Sequence, residues 1–453
     1  MKYNMLSISL IVLGLLAAPA RGQYRCFFGN LHAHTSYSDG VSIPDTAFAY
    51  ARDVAGIDVQ GLTEHNNGGA GYTITPDHYQ RLRHVADSMT VPGDFVALAG
   101  QEIGSMGYGG FGHISVFEAP NLSPYFNAYG ELLNCYSWIG AQSLPAQLNH
   151  PGAGGNNNFN DLFFYQDYDQ AIDLIEVLNS DYENERYYLQ ALANGWHVGA
   201  TGNQDNHGHN WGNEVNHTTH IIPLTGIWAD TLTKDAVLQA LQSHRTTAVE
   251  VSPANDRIQL SLVIDGAWQG SVGLKYQGQA SFTVNAFAPV SNFRKLYLYN
   301  NGVLVDSLAA SSRSVEWTFT RQLDLGAQHF FAKAVQADTD RAWTSPVFFD
   351  VVARNSVTAN SRNKVSTWPT PVRDQAKIIY LPIDGATSVK AKIFDLAGNI
   401  VWEESNSQPG QPVFWNAVDT NGNPAPNGIY IILLEQTSPS ETRVYTGKTM
   451  VSR

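Results

Sequence analysis

The segment that governs the architecture of this chain is Asn30-Leu31-His32-Ala33-His34-Thr35-Ser36-Tyr37-Ser38-Asp39-Gly40. A short apolar run, Cys26–Leu31, leads into it and predicts a β-strand. Successive side chains of a strand alternate between its two faces, so His32 and His34 project to the same side. Two ligands of one cation need this arrangement. Asp39 lies on the predicted turn after the strand, where it can bend back toward the same site.

Five further segments end a predicted strand on, or follow it with, a histidine or a carboxylate. They are Leu62-Thr63-Glu64-His65-Asn66, Leu98-Ala99-Gly100-Gln101-Glu102, Phe111-Gly112-His113-Ile114-Ser115, Gln147-Leu148-Asn149-His150-Pro151-Gly152 and Thr201-Gly202-Asn203-Gln204-Asp205-Asn206-His207. Taken alone, a histidine at a strand end is more often a hydrogen-bonded structural residue than a metal ligand. However, burying several histidines and carboxylates close together is energetically costly when nothing balances their charges. Bound cations remove this cost. Imidazole and carboxylate ligands suit zinc, manganese or iron.

Strand-like and helix-like segments alternate through the N-terminal half of the chain. The predicted strands are Cys26–Leu31, Ile57–Leu62, Phe95–Ala99, Leu144–Leu148, Ile172–Leu178, Val198–Thr201 and Arg245–Val251. The predicted helices are Pro44–Val54, His78–Met89, Glu183–Asn194 and Leu232–Ser243. This order predicts a parallel sheet or barrel whose active site lies at the carboxyl ends of the strands.

The six motifs resemble, in order and spacing, those of the PHP (polymerase and histidinol phosphatase) family of metal-dependent phosphoesterases. The resemblance covers about residues 26–250. It implies a distorted (β/α)7 TIM-like barrel and a site that holds two to three divalent ions, Zn, Mn or Fe. The implied metal ligands are His32, His34, Asp39, His65, Glu102, His113, His150, Asp205 and His207.

The resemblance also implies how these ligands are shared. His32, His34, Glu102 and Asp205 would hold one metal, and Glu102 would bridge to a second metal held by His113 and His150. Asp39, His65 and His207 would hold a third. All nine positions carry a competent ligand, which favours three ions. Glu102, Asp205 and His207 are the predicted catalytic residues, and a metal-activated hydroxide is the predicted nucleophile.

Substrate contacts are predicted at His209 and Arg245. Arg245 can bind a phosphate with two parallel hydrogen bonds, and it can equally anchor the final strand. Glu64 and Asn66 flank His65 and are expected to support it by hydrogen bonds.

The composition of the chain separates a chemical N-terminal part from an inert C-terminal part. All but one of the 14 histidines lie before residue 245, the exception being His329. The net charge of −13 argues against a nucleic-acid-binding surface. Residues 1–22 have the pattern of a signal peptide, which predicts a secreted or cell-surface protein, and no transmembrane segment is predicted. The chain has two cysteines, Cys26 and Cys135, and the sequence does not determine whether they form a disulfide.

The expected organisation is a metallo-phosphoesterase barrel over 23–252, a β-sandwich over 256–352, a linker over 353–366 and a C-terminal domain over 367–453. The C-terminal domain resembles the immunoglobulin-like sorting domains of type IX-secreted bacterial proteins. The resemblance is carried by Trp368-Pro369-Thr370-Pro371, Ile393-Phe394-Asp395-Leu396-Ala397-Gly398, Asn427-Gly428-Ile429-Tyr430 and Gly447-Lys448-Thr449-Met450. It implies export machinery as a partner.

The leading functional hypothesis is a secreted phosphoesterase that acts on small-molecule phosphate mono- or diesters. Two alternatives stay open at this point. One is a metal-dependent hydrolase of a C–N or C–O bond, similar to an amidohydrolase. The other is a non-catalytic surface protein, against which the intact ligand set argues.

Overall fold

The computed structural model describes residues 24–68, 72–105, 110–126, 129–153, 158–180, 182–214, 221–252, 255–352, 365–380, 383, 386–407, 413–439 and 442–453. The predicted signal peptide and most of the predicted linker lie outside these residues. The chain divides into two compact units, one up to Ala353 and one from Arg354. No helix among the described residues is both long and apolar enough to cross a membrane.

The N-terminal part of the first unit is built on a mixed β-sheet. Its strands are β1 Arg25–Asn30, β2 Val59–Asn66, β3 Val96–Ser105, β4 Gly112–Phe117, β5 Ala146–Asn149, β6 Leu174–Asn179, β7 Tyr182–Glu183, β8 Gly199–Asn203, β9 Ile222–Ala229 and β10 Thr246–Val251. Parallel pairs join β1 to β2, β2 to β3, β5 to β6 and β6 to β8. Antiparallel pairs join β3 to β4, β4 to β5, β1 to β9 and β9 to β10.

Helices lie between several of these strands. They are α1 Pro44–Tyr50, continued by a π-helical turn at Ala51–Ala55, α2 Pro76–Met89, α3 Leu132–Gln142, α4 Glu185–Asn194 and α5 Lys234–Gln242, with 3-10 turns at Tyr129–Glu131 and Gln166–Ala171. Threonine side chains cap two of them: Thr75 accepts from the backbone of His78, and Thr233 accepts from that of Ala236.

A (β/α)7 barrel, the expected fold, is not evident in the described residues. The reason lies in β3, β4 and β5, which are antiparallel neighbours, whereas the strands of a (β/α) barrel are parallel. A parallel bridge between Ala33 and Asn206 still brings the segment after β8 beside the segment after β1. The carboxyl ends of the parallel strands therefore meet, which is what the predicted site requires.

The middle of the chain adds ten strands to the same compact unit. They are β11 Gln259–Ile264, β12 Ala267–Trp268, β13 Leu274–Tyr276, β14 Gln279–Phe287, β15 Phe293–Asn300, β16 Val303–Ala309, β17 Ser314–Gln322, β18 Gly326–Gln336, β19 Arg341–Thr344 and β20 Val347–Val351. One four-stranded sheet has the order β12-β11-β14-β17. The other strands continue the mixed sheet, because β19 pairs with β10 through Thr247 and Thr344. The predicted boundary between residues 252 and 256 is thus crossed by one sheet.

The second unit is an all-β sandwich. Its strands are β21 Ser366–Trp368, β22 Ala376–Ile379, β23 Ser388–Phe394, β24 Ile400–Ser407, β25 Val413–Trp415, β26 Gly428–Thr437 and β27 Thr442–Val451. They form two sheets, β21-β22-β25 and β24-β23-β26-β27. Burial alternates along β26, as expected when one face of a strand packs on a core and the other meets solvent. Trp415 and Tyr445 are among the largest buried side chains of that core.

Candidate metal centre

All nine predicted ligands lie at one end of the mixed sheet. His32 and His34 follow β1, and Asp39 lies on the turn beyond them. His65, Glu102 and His113 lie within β2, β3 and β4, while His150 follows β5 and Asp205 and His207 follow β8. Each predicted ligand lies at the same end of the sheet as the others. The residues that are spaced along the sequence therefore form a single cluster.

Glu102 is at the centre of the cluster. Its Oε1 lies 3.0 Å from His32 Nε2, 3.1 Å from His113 Nδ1 and 3.3 Å from His150 Nε2. Its Oε2 lies 2.8 Å from His65 Nδ1 and 3.5 Å from His34 Nε2. One carboxylate that is 1% exposed thus contacts five imidazole rings. This is the position of a group shared between cations.

Two further carboxylates complete the cluster. Asp205 Oδ1 lies 3.1 Å from His34 Nε2 and 3.2 Å from His32 Nε2. Asp39 Oδ1 lies 3.2 Å from His207 Nε2, and Asp39 Oδ2 lies 3.5 Å from His65 Nε2.

The donor atoms form four overlapping groups in which all atoms lie within 4.8 Å of one another. The groups are His34/Asp39/His65/His207, His32/His34/Asp205, His32/Glu102/His150 and His65/Glu102/His113. Two buried ring nitrogens here, Nδ1 of His34 and Nδ1 of His150, have no hydrogen-bond partner. Buried polar atoms are rarely left without a partner, so the residues fit a set of divalent cations. The arrangement also places His34 with Asp39, His65 and His207, in addition to its expected partners.

The electrostatics keep the central carboxylates ionised. Burial opposes the charge of Glu102, but His113, His32 and His65 hold its pKa well below the ordinary value. Burial and the neighbouring His65 lower the pKa of His34 to about 3, so this imidazole is neutral, as metal binding requires.

His65 behaves differently from His34. Burial acts to lower its pKa, but Glu102 and Asp39 raise that pKa to about 10. A cation at this position therefore competes with a proton held between two carboxylates.

Sequence reasoning missed Glu176, a fully buried carboxylate of β6 that supports the cluster from behind. Its Oε1 lies 3.0 Å from His32 Nδ1, and its Oε2 accepts a 2.5 Å hydrogen bond from the backbone N–H of His150. The side chains of Asn179, Gln147 and Asn203 donate to the same carboxylate. The sequence signal that could have identified Glu176 is the presence of an acidic residue within the apolar run 172–178.

Glu64 supports the turn that carries Asp39. It accepts hydrogen bonds from the backbone and hydroxyl of Thr35 and from the Ser38 hydroxyl, the two hydroxyl contacts being 2.5 Å long. Burial raises the pKa of Glu64 to about 7. Asn149 acts closer to the centre, because its Nδ2 donates to Glu102 Oε1 at 2.7 Å.

The structure does not bring Arg245 to the centre. Its Nε donates to the Trp228 carbonyl, and its guanidinium lies 4.6 Å from the ring centroid of Tyr24. Tyr24 precedes β1, whereas His32 follows it, a separation of about 26 Å along an extended strand. Arg245 therefore does not make the predicted phosphate contact. It anchors the start of β10 through its contacts with Trp228 and Tyr24.

His209 is exposed and packs edge-on against Trp211, so its substrate contact stays a prediction. Cys26 and Cys135 are both free, which leaves no disulfide between them.

A cavity of about 230 Å³ lies against the cluster. Its lining includes His65, His113, His150, Asp205 and His207, together with Ala153, Asn179 and Tyr182. Five of the nine predicted ligands thus face a space where a small ligand can enter.

No protein-family model matches the chain, and no curated protein matches it. Among solved structures, a two-domain protein from Bacteroides vulgatus is described as containing a predicted PHP-like metal-dependent phosphoesterase. It aligns at 14% identity with a TM-score of 0.41, over 72% of this chain and 95% of that one.

Two structures from Porphyromonas gingivalis also align. Dimeric latent PorU aligns at 16% identity and a TM-score of 0.19, over 43% of this chain and 20% of that one. PorZ, a surface component of the type-IX secretion system, aligns at 10% identity and a TM-score of 0.17, over 51% of this chain and 44% of that one. Because these likenesses are distant, the function has to be derived from the site.

Proposed function

We propose that this protein is a metal-dependent phosphoesterase that hydrolyses phosphate mono- or diesters with two or three bound divalent ions. The observation that carries the proposal is the placement of Glu102 within 3.5 Å of five imidazole nitrogens on five different rings. Adjacent cations need a shared anionic ligand, and no other residue of the cluster contacts so many rings.

In this proposal the nine residues are divided among the ions, and two of the ions share Glu102. Glu102 with His32, His34 and Asp205 would hold the first. Glu102 with His113 and His150 would hold the second, and Asp39, His65 and His207 the third. When bound, such ions activate water and neutralise charge on phosphoryl oxygens.

The protein contributes position and charge to this chemistry. Glu176 fixes the ring of His32 through Nδ1 and leaves its Nε2 for a cation. Glu64 holds the turn that carries Asp39. The described lining of the cavity contains no Lys or Arg side chain, so the charge of a bound phosphate would fall on the cations and on the histidines.

The test starts from the full mature chain, stripped of metal and then loaded with Zn, Mn or Fe. Hydrolysis of p-nitrophenyl phosphate or of bis(p-nitrophenyl) phosphate is expected, and it should disappear in His32→Ala and Asp205→Ala. His84→Ala, at an exposed histidine of α2, is the matched control and should keep its activity. Cleavage of p-nitrophenyl acetate or of an anilide, with neither phosphate ester cleaved, would favour the C–O or C–N alternative and overturn the proposal.

We also propose that the protein is exported and reaches the cell surface or the medium through its C-terminal domain. The support is the signal-peptide pattern at 1–22 and the compact second unit, whose described residues form a β-sandwich. Deletion of residues 367–453 in the native host should leave the protein inside the cell envelope, as measured by cell fractionation. Unchanged export of the deleted protein would contradict this role.

A further inference from the structure

A second and larger cavity lies on one face of the mixed sheet. It has a volume of about 620 Å³ and is called here the sheet cleft, with Tyr297, Tyr299, Lys333, Arg341, Glu250 and Arg294 in its lining. Its floor crosses β15, β18, β19 and β10. Tyr297 pairs with Lys333 across one ladder, and Val335 pairs with Arg341 across the next. Directly paired residues share a face of the sheet, so these side chains point into the same space.

One edge of the sheet cleft borders the metal centre. Glu183 of β7 lies 2.5 Å from Arg341 Nη1, and Glu185 at the start of α4 lies 2.7 Å from Lys333 Nζ. The residue before Glu183 is Tyr182, which lines the cavity at the metal cluster. The two-residue strand β7 therefore separates the cleft from the metal cavity.

The charges of the sheet cleft are balanced. Arg341 bonds to both Glu250 and Glu183, and Lys333 bonds to Glu185. Three basic side chains (Arg294, Lys333 and Arg341) and three acidic ones (Glu250, Asp338 and Asp340) line it, and Glu183 and Glu185 pair with two of the bases, so the cleft has no excess of positive charge. An anionic ligand would have to face these carboxylates or displace them from their ion pairs. The cleft therefore suits a neutral polar ligand.

Two tyrosine rings supply an apolar surface in the same cleft. Tyr297 and Tyr299 are two residues apart on β15, which places them about 7 Å apart on one face. Both are half-buried, and Tyr299 stacks on Phe331 with ring centroids 4.8 Å apart and an interplanar angle of 2°. Stacking fixes the ring of Tyr299 before any ligand arrives, which lowers the entropic cost of binding.

The hydrogen-bonding groups lie around these rings. Arg294 is exposed, and nothing in the described part of the chain pairs with its guanidinium. Asp338 and Asp340 lie on the same lining. A saccharide matches this combination, because its C–H face packs on aromatic rings while its hydroxyls bond to charged groups at the ring edge.

We propose that the sheet cleft binds a neutral saccharide, with sugar rings on Tyr297 and Tyr299 and hydroxyl groups bonded to Arg294, Asp338 and Asp340. The saccharide can be the alcohol part of the phosphate ester that the metal centre cleaves, or it can belong to a separate glycan. Only the first of these sources rests on the proposed phosphoesterase function.

The first experiment measures binding to the full mature chain with its metals removed, so it does not depend on activity. A printed panel of neutral oligosaccharides identifies a ligand, and titration calorimetry gives its Kd. Tyr297→Ala and Tyr299→Ala should each weaken binding at least tenfold. Tyr299→Phe, which keeps the stacked ring, should bind within about threefold of the unmodified protein. Phe414→Ala, at an exposed aromatic residue of the second unit, is the control and should leave Kd unchanged.

The melting temperature of each variant shows whether it folds. Absence of any neutral saccharide ligand would overturn the proposal, and so would binding that survives both alanine variants. Failure of the phosphoesterase function would instead appear as saccharide binding without hydrolysis of any phosphate ester.

The second experiment assigns the source of the saccharide. The bound oligosaccharide is phosphorylated, and its kcat/KM is compared with that of p-nitrophenyl phosphate. A higher value that falls in Tyr299→Ala supports the saccharide as the leaving group. Equal values in the unmodified protein support a separate glycan, and the cleft assignment stands in either case.

Discussion

Glu176 Oε1 and Glu102 Oε1 each lie 3.0 Å from the ring of His32, one at Nδ1 and the other at Nε2. The imidazole is thus fixed between two carboxylates, one on the side of the cavity and one buried behind it. A ring held in this way presents Nε2 to a cation in a single tautomer and orientation.

The first prediction concerns Glu176→Gln. The carboxylate accepts from His32, from the His150 backbone and from the amides of Gln147, Asn179 and Asn203. A glutamine must point its NH₂ group at one of these donors, so His32 or the segment carrying His150 will shift. Metal affinity should fall about 10–100-fold.

Equilibrium dialysis with metal analysis measures this loss without an activity assay. Glu403→Gln, at an exposed residue of the second unit, is the matched control for the substitution. Unchanged metal affinity in Glu176→Gln would show that the carboxylate does not orient His32.

Metal removal should destabilise only the first of the two compact units. Ligands that bind the folded state alone stabilise it by about 2.7 kcal/mol at 100 times their Kd. For a unit of this size, such a change corresponds to a shift in Tm of about 4 °C. Calorimetry with and without a chelator measures it, and the transition of the unit from Arg354 should not move. In His32→Ala, which removes a ligand of one ion only, the chelator should shift the transition of the first unit less than in the unmodified protein.

Gly152 offers a test of the segment that carries His150. Its φ is +86°, and a Cβ atom there would lie about 2 Å from the ring of Tyr187. Its backbone N–H donates to Asn158 Oδ1 at 2.7 Å. Gly152→Ala should lower the free energy of unfolding by about 1–3 kcal/mol and weaken metal binding at His150. Gly130→Ala, where an added Cβ meets no atom within 4 Å, is the control. Equal stability of the two variants in urea would contradict this reading.

The nine candidate ligands could be identified from the sequence because each of them carries a local signal, and the structure brings them together. His32 and His34 have the i, i+2 spacing of one strand face, and His65 and His150 each stand at the end of an apolar run. Glu176 carries only a weak local signal, a charge within an apolar run, and its function arises from contact with His32, 144 positions earlier in the chain. A contact of this kind depends on which strands are neighbours, and one sequence does not determine that.

The sheet topology was predictable only in part for the same reason. Strand β4 was recognised as a motif around His113 but not as a strand, so the antiparallel run β3-β4-β5 was missed. Strand β9 begins with Ile222-Pro223, and proline weakens a strand pattern. Here Pro223 is tolerated because it pairs only with Glu250 of β10 and lies beyond the residues of β9 that pair with β1. The pairing of Thr247 with Thr344 joins two regions whose sequence patterns differ. The sheet cleft exists because of that pairing.

The last prediction is a pH dependence of stability that originates far from the metal ligands. Burial lowers the pKa of His244 to about 4 from its ordinary value near 6.5, and its Nδ1 lies 3.3 Å from the Gly270 carbonyl. The folded state binds this proton less tightly than the unfolded state does. The contribution of His244 is therefore fully present above pH 6.5 and is lost as the pH falls from 6.5 toward 4.

The neighbouring Asp173 acts in the opposite direction. Burial raises its pKa to about 8, so it favours the folded state at low pH and loses that effect as the pH rises through 8. His244→Gln removes the effect of His244 on the free energy of unfolding but keeps Asp173. Comparing this variant with the unmodified protein therefore separates the effect of His244 from that of Asp173. The free energy of unfolding of both proteins is measured in urea at several pH values. As the pH falls from 6.5 to 4, the unmodified protein should lose more stability than His244→Gln. A difference that stays constant across this range would show that His244 takes up its proton equally in the folded and unfolded states.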